Sequence, residues 1–128
     1  MRLSRLFPVA AMMAIASPLH AKPITPFSMA ALHAAQASGK PVLIDAFAPW
    51  CPTCRAQSPT IDGLAKDPAY RDLTIMRLDY DHQTAEKRAL GITHQSTLIA
   101  YHGPRETGRI VGITDREQLR KFAATALR

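Results

Sequence analysis

The 128-residue chain has two cysteines and one tryptophan, and all three fall within Trp50-Cys51-Pro52-Thr53-Cys54. Two thiols at this spacing can close a disulfide across almost no loop. Such a bond would constrain little of the unfolded chain, because stabilisation by a disulfide grows with the loop it closes. The spacing therefore argues for chemistry over stapling. Redox pairs and structural zinc sites both use it, but zinc needs four ligands, and no second CxxC or nearby His pair completes a set here. Just after an expected strand, the spacing reads as a redox motif, and the chemistry of such a motif is thiol–disulfide exchange. Cys51, at the start of a helix, meets unpaired N–H groups and the positive end of the helix dipole, which stabilise a thiolate nucleophile. Cys54, one turn further on, is the buried thiol that reaches the first sulfur and resolves the mixed disulfide. Pro52 and Thr53 tune the pair through local polarity and backbone donors.

That reading needs a strand before the motif and a helix after it. Val42-Leu43-Ile44-Asp45-Ala46-Phe47-Ala48 is too continuously apolar for a strand with one wet face, so it is expected at the centre of a sheet. Arg55 to Ala65 reads as helix, with Ile61, Leu64 and Ala65 on one face and a kink at Pro59. Ahead of the central strand, Lys22 to Pro26 is an extended lead-in. Ser28 caps a helix over Met29 to Ser38, with Phe27 and Leu32 at the staple positions and Gly39 as its stop. Downstream come a strand at Leu73 to Asp79, a short helix at Thr84 to Leu90 closed by Gly91, and a strand at Thr97 to Tyr101. A hairpin partner follows at Gly108 to Gly112. Thr114-Asp115-Arg116-Glu117 has the form of a capping box, opening a helix with an apolar stripe at Leu119, Phe122, Ala123, Ala126 and Leu127. Alternation in the first half predicts parallel strands, and the terminal hairpin makes the sheet mixed. The fold class is α/β, a central mixed β-sheet flanked by helices on both faces.

Met1 to Ala21 has the layout of a secretory signal: Arg2 and Arg5, an apolar run from Leu6 to Ala16, and a small residue at Ala21 for cleavage. The run is shorter than the roughly 20 residues a membrane span requires. The chain is thus expected to divide into a signal at 1–21 and one domain at 22–128, placed in the periplasm or outside the cell, where disulfides persist. The formal charge of +6 falls by two when Arg2 and Arg5 are removed. The remaining basic residues are scattered without interleaved aromatics, which argues against a nucleic-acid partner.

Taken together, Val42 through Arg55 with Trp50-Cys51-Pro52-Thr53-Cys54, then Pro59, Leu78-Asp79-Tyr80-Asp81, Thr97-Leu98 and Val111-Gly112, closely resemble the thioredoxin family across nearly all of residues 22–128. The resemblance implies a thioredoxin-like fold and a thiol–disulfide oxidoreductase that reduces disulfides of protein substrates. It implies no cofactor, a monomer, and re-reduction by a membrane thiol–disulfide electron donor. It assigns Asp45, a carboxylate that burial makes costly to charge, as proton acceptor and donor for Cys54. The competing role for Asp45 is a structural ion pair with Arg77, which stands where the family has a lysine. Trp50 would shield the site or pack into the core, and Arg55 would favour the thiolate or simply sit exposed on the helix.

One position departs from the family. Ser96 stands where a cis-proline is expected, in Gln95-Ser96-Thr97, the loop facing the cysteines. A cis bond before a non-proline costs about 2.5–4 kcal/mol, so the Gln95–Ser96 bond is either trans in an altered loop or a strained cis. Without the proline the thiols are less screened. A second reading is therefore a binding module in which the pair, with His94 as a third ligand, holds copper or an iron–sulfur cluster. A thiol oxidase or isomerase is a further alternative.

Overall fold

In the computed structural model, which describes Lys22–Arg128, a five-stranded mixed sheet is sandwiched between two helical layers. The expected signal segment lies outside the described residues. The strands are β1 (Thr25–Pro26), β2 (Pro41–Phe47), β3 (Thr74–Asp79), β4 (Thr97–His102) and β5 (Arg105–Val111), ordered β1-β3-β2-β4-β5. The helices are α1 (Met29–Ala37), α2 (Pro52–Lys66), α3 (Thr84–Leu90) and α4 (Arg116–Ala124). β2 runs parallel to β3 and antiparallel to β4, and β4 and β5 form the closing hairpin.

β2 is central, as its unbroken apolar run requires. Because side chains alternate across a strand, Val42, Ile44 and Ala46 join the core beneath α1 and α3, while Leu43 joins the core beneath α2 and α4. Asp45 is two residues on from Leu43 and so points at the α2–α4 layer. On the first face Phe27, Leu32 and Ala35 meet Met76, Leu78, Ile99 and Tyr101. On the second, Ile61 and Leu64 of α2 meet Leu98, Ala100, Leu119 and Ala123. Burying one such aliphatic side chain contributes about 1.5–3 kcal/mol, so the two clusters hold both layers on the sheet.

The helix ends follow local chemistry, with corrections to the sequence reading. Ser28 caps α1 by accepting from the Ala31 N–H, and Gly39 leaves that helix at φ +66°, a left-handed value that glycine takes without cost. α2 begins at Pro52 rather than Arg55. Proline suits the first helical turn, where its missing N–H leaves no bond unmade, and the helix runs on through Pro59. The expected box at Thr114 gives way to Asp115, whose carboxylate accepts from the Gln118 N–H at 2.8 Å. Aspartate is the stronger N-cap and carries charge that favours a helix N-terminus. β5 is longer than expected, starting at Arg105. The lead-in supplies a short parallel edge strand through Thr25↔Met76 and Pro26↔Arg77. The last helix ends at Ala124 and tightens into a 3-10 turn over Thr125–Leu127.

Candidate active site

The end of β2 and the start of α2 bring the two cysteines to one edge of the sheet. Cys51 is the N-cap of α2, and its Sγ accepts the Cys54 backbone N–H at 3.0 Å. An amide that the helix leaves unpaired thus donates to the sulfur at the N-terminus of α2. Both cysteines are unbonded to each other in this structure, and each is only 1% exposed. Sequence reasoning placed burial at Cys54 alone. Cys51 is equally covered because its sulfur turns onto the helix and packs with Ala48, Phe47 and Tyr80. Burial pushes the Cys54 thiol up to about 11, and the neighbouring Cys51 sulfur adds to the rise. Cys54 therefore rests as a thiol, its Sγ 3.9 Å from the Ala46 carbonyl.

Asp45 is also 1% exposed. Its Oδ2 accepts from Arg77 Nε at 2.9 Å, across the β2–β3 register pair Asp45↔Arg77. Arg77 lies between Asp45 and Asp62 of α2, at 3.8 Å from the latter, and its guanidinium stacks 4.6 Å from the Phe47 ring. Asp45 Oδ1 has no hydrogen-bond partner. Burial holds the Asp45 carboxyl above its ordinary value, Arg77 pulls it part of the way back, and Asp62 pushes it up. Thus the ion pair weighed against a catalytic role is present, and it leaves a second oxygen free. Asp45 makes no direct hydrogen bond to either cysteine. It reaches them through the strand, one residue before the carbonyl that faces Cys54.

Trp50 is 55% exposed, which removes the core-packing role. Its indole N–H donates to both carboxylate oxygens of Asp81 at 3.0 Å, pinning the ring on the rim beside the motif. Pro52 and Thr53 form the first turn of α2, and Arg55 is exposed on it. A groove of about 370 Å³ opens next to Trp50, lined by Pro26, Phe47, Pro49, Arg77 and Asp81 among others.

Opposite the thiols the Gln95–Ser96 bond is trans, and Ser96 takes φ +57°, the one left-handed non-glycine among the described residues. This resolves the alternative left open by the sequence. Ser96 is buried, and its N–H donates to the Ala46 carbonyl at 2.9 Å. A proline there would have no such donor. Thr97 Oγ1 donates to the His94 carbonyl at 2.6 Å and closes the turn, while Gln95 lies half-buried beside it. His94 is exposed and its Nδ1 is 3.0 Å from Thr93 Oγ1. Among the described residues, no group of three or more His, Cys, Asp or Glu side chains is placed to hold a metal ion.

Gln57 went unremarked in the sequence. It is wholly buried on the inward stripe of α2, following Cys54 and preceding Ile61 and Leu64. The signal was available: a glutamine in phase with that apolar stripe needs buried partners. It has them in the Ser96 and Ile113 carbonyls.

The thioredoxin family model matches residues 27–125. The chain belongs to the thioredoxin family. A thioredoxin from Chlamydia muridarum is 35% identical over 81 residues, covering 63% of this chain and 78% of that one. A thioredoxin from Alicyclobacillus acidocaldarius is 33% identical over 88 residues, covering 69% and 83%. Among solved structures, Trxlp from Edwardsiella tarda superposes with a TM-score of 0.76 at 40% identity, covering 79% of this chain and 98% of that one. Thioredoxins are protein-disulfide oxidoreductases, and thiol–disulfide oxidoreduction of protein substrates is the chemistry of this chain.

Proposed function

We propose that this thioredoxin-family chain is an exported reductase of protein disulfides, with Cys51 as nucleophile and Cys54 as resolving thiol. The observation that carries the assignment is the asymmetry of the pair. The Cys51 sulfur accepts an amide at a helix N-terminus, whereas burial holds Cys54 as a thiol up to about pH 11. In the first step the Cys51 thiolate attacks one sulfur of the substrate disulfide. The S–S bond breaks, a mixed disulfide forms, and the leaving substrate thiolate takes up a proton. In the second, Cys54 loses its proton and attacks the Cys51 sulfur. The mixed disulfide breaks, the second substrate thiol leaves, and the chain is oxidised by two electrons.

Cys54 needs a base for that second step. Asp45 is the buried acceptor in the adjoining strand, with one oxygen held by Arg77 and the other free. It takes the Cys54 proton through intervening water and returns it on re-reduction. Trp50, held by Asp81, shapes the rim, and the Gln95-Ser96-Thr97 turn forms the opposite side. The layout of residues 1–21 supports export. Support for reduction over oxidation comes from Asp45 and from a chain whose α3 alone links β3 to β4, without an inserted helical domain. A monomer re-reduced by a membrane dithiol donor completes this reading.

The test is the reduction potential of the Cys51–Cys54 pair, measured with metal content and insulin reduction by a dithiol. A potential more reducing than the compartment's, with turnover that Cys51→Ser abolishes, is the expected result. A potential well above the compartment's makes the chain an oxidase, and stoichiometric metal without turnover makes it a binding module.

A further inference from the structure

Gln57 is a polar side chain with 0% exposure, at an α2 position where an apolar residue would pack without penalty. Its Nε2 donates to the Ile113 carbonyl at 2.8 Å and to the Ser96 carbonyl at 3.3 Å. Two carbonyl acceptors fix which end of the amide is nitrogen. Its Oε1 has no partner, so the side chain is held at a cost. The Ser96 carbonyl also takes the Gly112 N–H at 3.1 Å, while the Ser96 N–H is committed to Ala46.

One carboxamide therefore joins three segments: the helix that carries both cysteines, the turn before β4, and the loop after β5. The first two of these segments meet at the Cys54 sulfur, which lies beside the Ala46 carbonyl and the Ser96 backbone N–H, and the third is bonded to the turn through Gly112. The turn has no proline to stiffen it, and Ser96 sits in a left-handed conformation that side-chain-bearing residues avoid. Such a backbone persists only where surrounding bonds over-determine it. The bonds that do so are those of Ala46, Gly112 and Gln57.

We propose that Gln57 is a positioning residue for thiol–disulfide exchange: it latches the Ser96 turn and the Gly112–Ile113 loop to α2, holding the surface beside the thiols in the shape that receives a protein disulfide. The role rests on exchange at Cys51 and Cys54 and is the same whichever way the electrons flow. No bond to substrate is made by Gln57 itself.

Gln57→Met keeps the length of the side chain and removes both donors. In amide hydrogen exchange on the reduced chain, Ser96 and Gly112 should exchange about tenfold faster, while Ile61 and Leu64 in α2 keep their rates. With insulin as substrate, KM should rise about fivefold to tenfold and kcat stay within about twofold, the range expected for one or two lost hydrogen bonds. Gln57→Leu gives the same pattern and serves if the methionine variant does not fold. A lower Tm with unchanged exchange at Ser96 and Gly112 and an unchanged KM overturns the proposal and makes Gln57 a packing residue. Hydrogen exchange is read without turnover, so a chain inactive on insulin would still support or overturn the latch separately from the reductase assignment.

Discussion

At the scale of single residues the site depends on two groups whose protonated forms burial favours, Asp45 and Cys54. Asp45 titrates above its ordinary carboxylate value because desolvation outweighs the pull of Arg77. The native chain then holds a proton that the unfolded chain has released, so stability falls as pH climbs from the unfolded value through the raised native one. Asp45→Asn removes that dependence. It should lose less stability than wild type between pH 5 and pH 8, while slowing release of mixed disulfides. Urea unfolding of both forms at pH 5 and pH 8 checks this. Equal stability of the two forms at both pH values would show that Arg77 fully compensates the carboxylate. For Cys54, the same burial predicts slow alkylation by iodoacetamide in Cys51→Ser at pH 8, with the rate climbing at more alkaline pH. Rapid alkylation at pH 8 would contradict a thiol held neutral.

Elements decide what those residues face. The unbroken apolar run of β2 was legible because strand burial leaves a local signature, whereas the apolar period of α2 reached back only to Arg55 and missed its first turn at Pro52. The Asp115 cap was one residue from the expected one, since two capping residues stood side by side and only geometry chooses between them. The Ser96 turn was legible as a departure but not as a conformation. Its φ of +57° is set by partners 16 and 50 residues away, Gly112 and Ala46, which no local pattern announces. This turn yields a contrasting pair of variants. Ser96→Gly relieves the left-handed strain and should remain within about 1 kcal/mol of wild type. Ser96→Pro has φ fixed near −65° and no N–H for Ala46, so it should lose roughly 1–3 kcal/mol in its present geometry and shift the potential of the pair. Equilibrium unfolding and redox titration of the two variants test this. A proline variant equal to wild type in both would show that the turn does not control the thiols.

For the whole molecule, a mixed sheet with helices on both faces could be anticipated because βαβ alternation and a terminal hairpin allow few arrangements. The short edge strand β1 could not, since two residues paired to β3 carry no periodicity of their own. The burial of Gln57 was legible from its phase with the apolar stripe of α2, but its carbonyl partners were not, since they come from two distant loops. What the fold achieves is the convergence of β2, α2 and the Ser96 turn on one pair of sulfurs made unequal by their surroundings. That inequality is tested most directly by trapping. Cys54→Ser and Cys51→Ser forms are each incubated with a disulfide-bonded protein, then acid-quenched and mapped by mass spectrometry. A mixed disulfide through Cys51 in Cys54→Ser, with none in Cys51→Ser, is the predicted result. Accumulation through Cys54 in Cys51→Ser, or no adduct in either form, would contradict the assignment of nucleophile and resolving thiol.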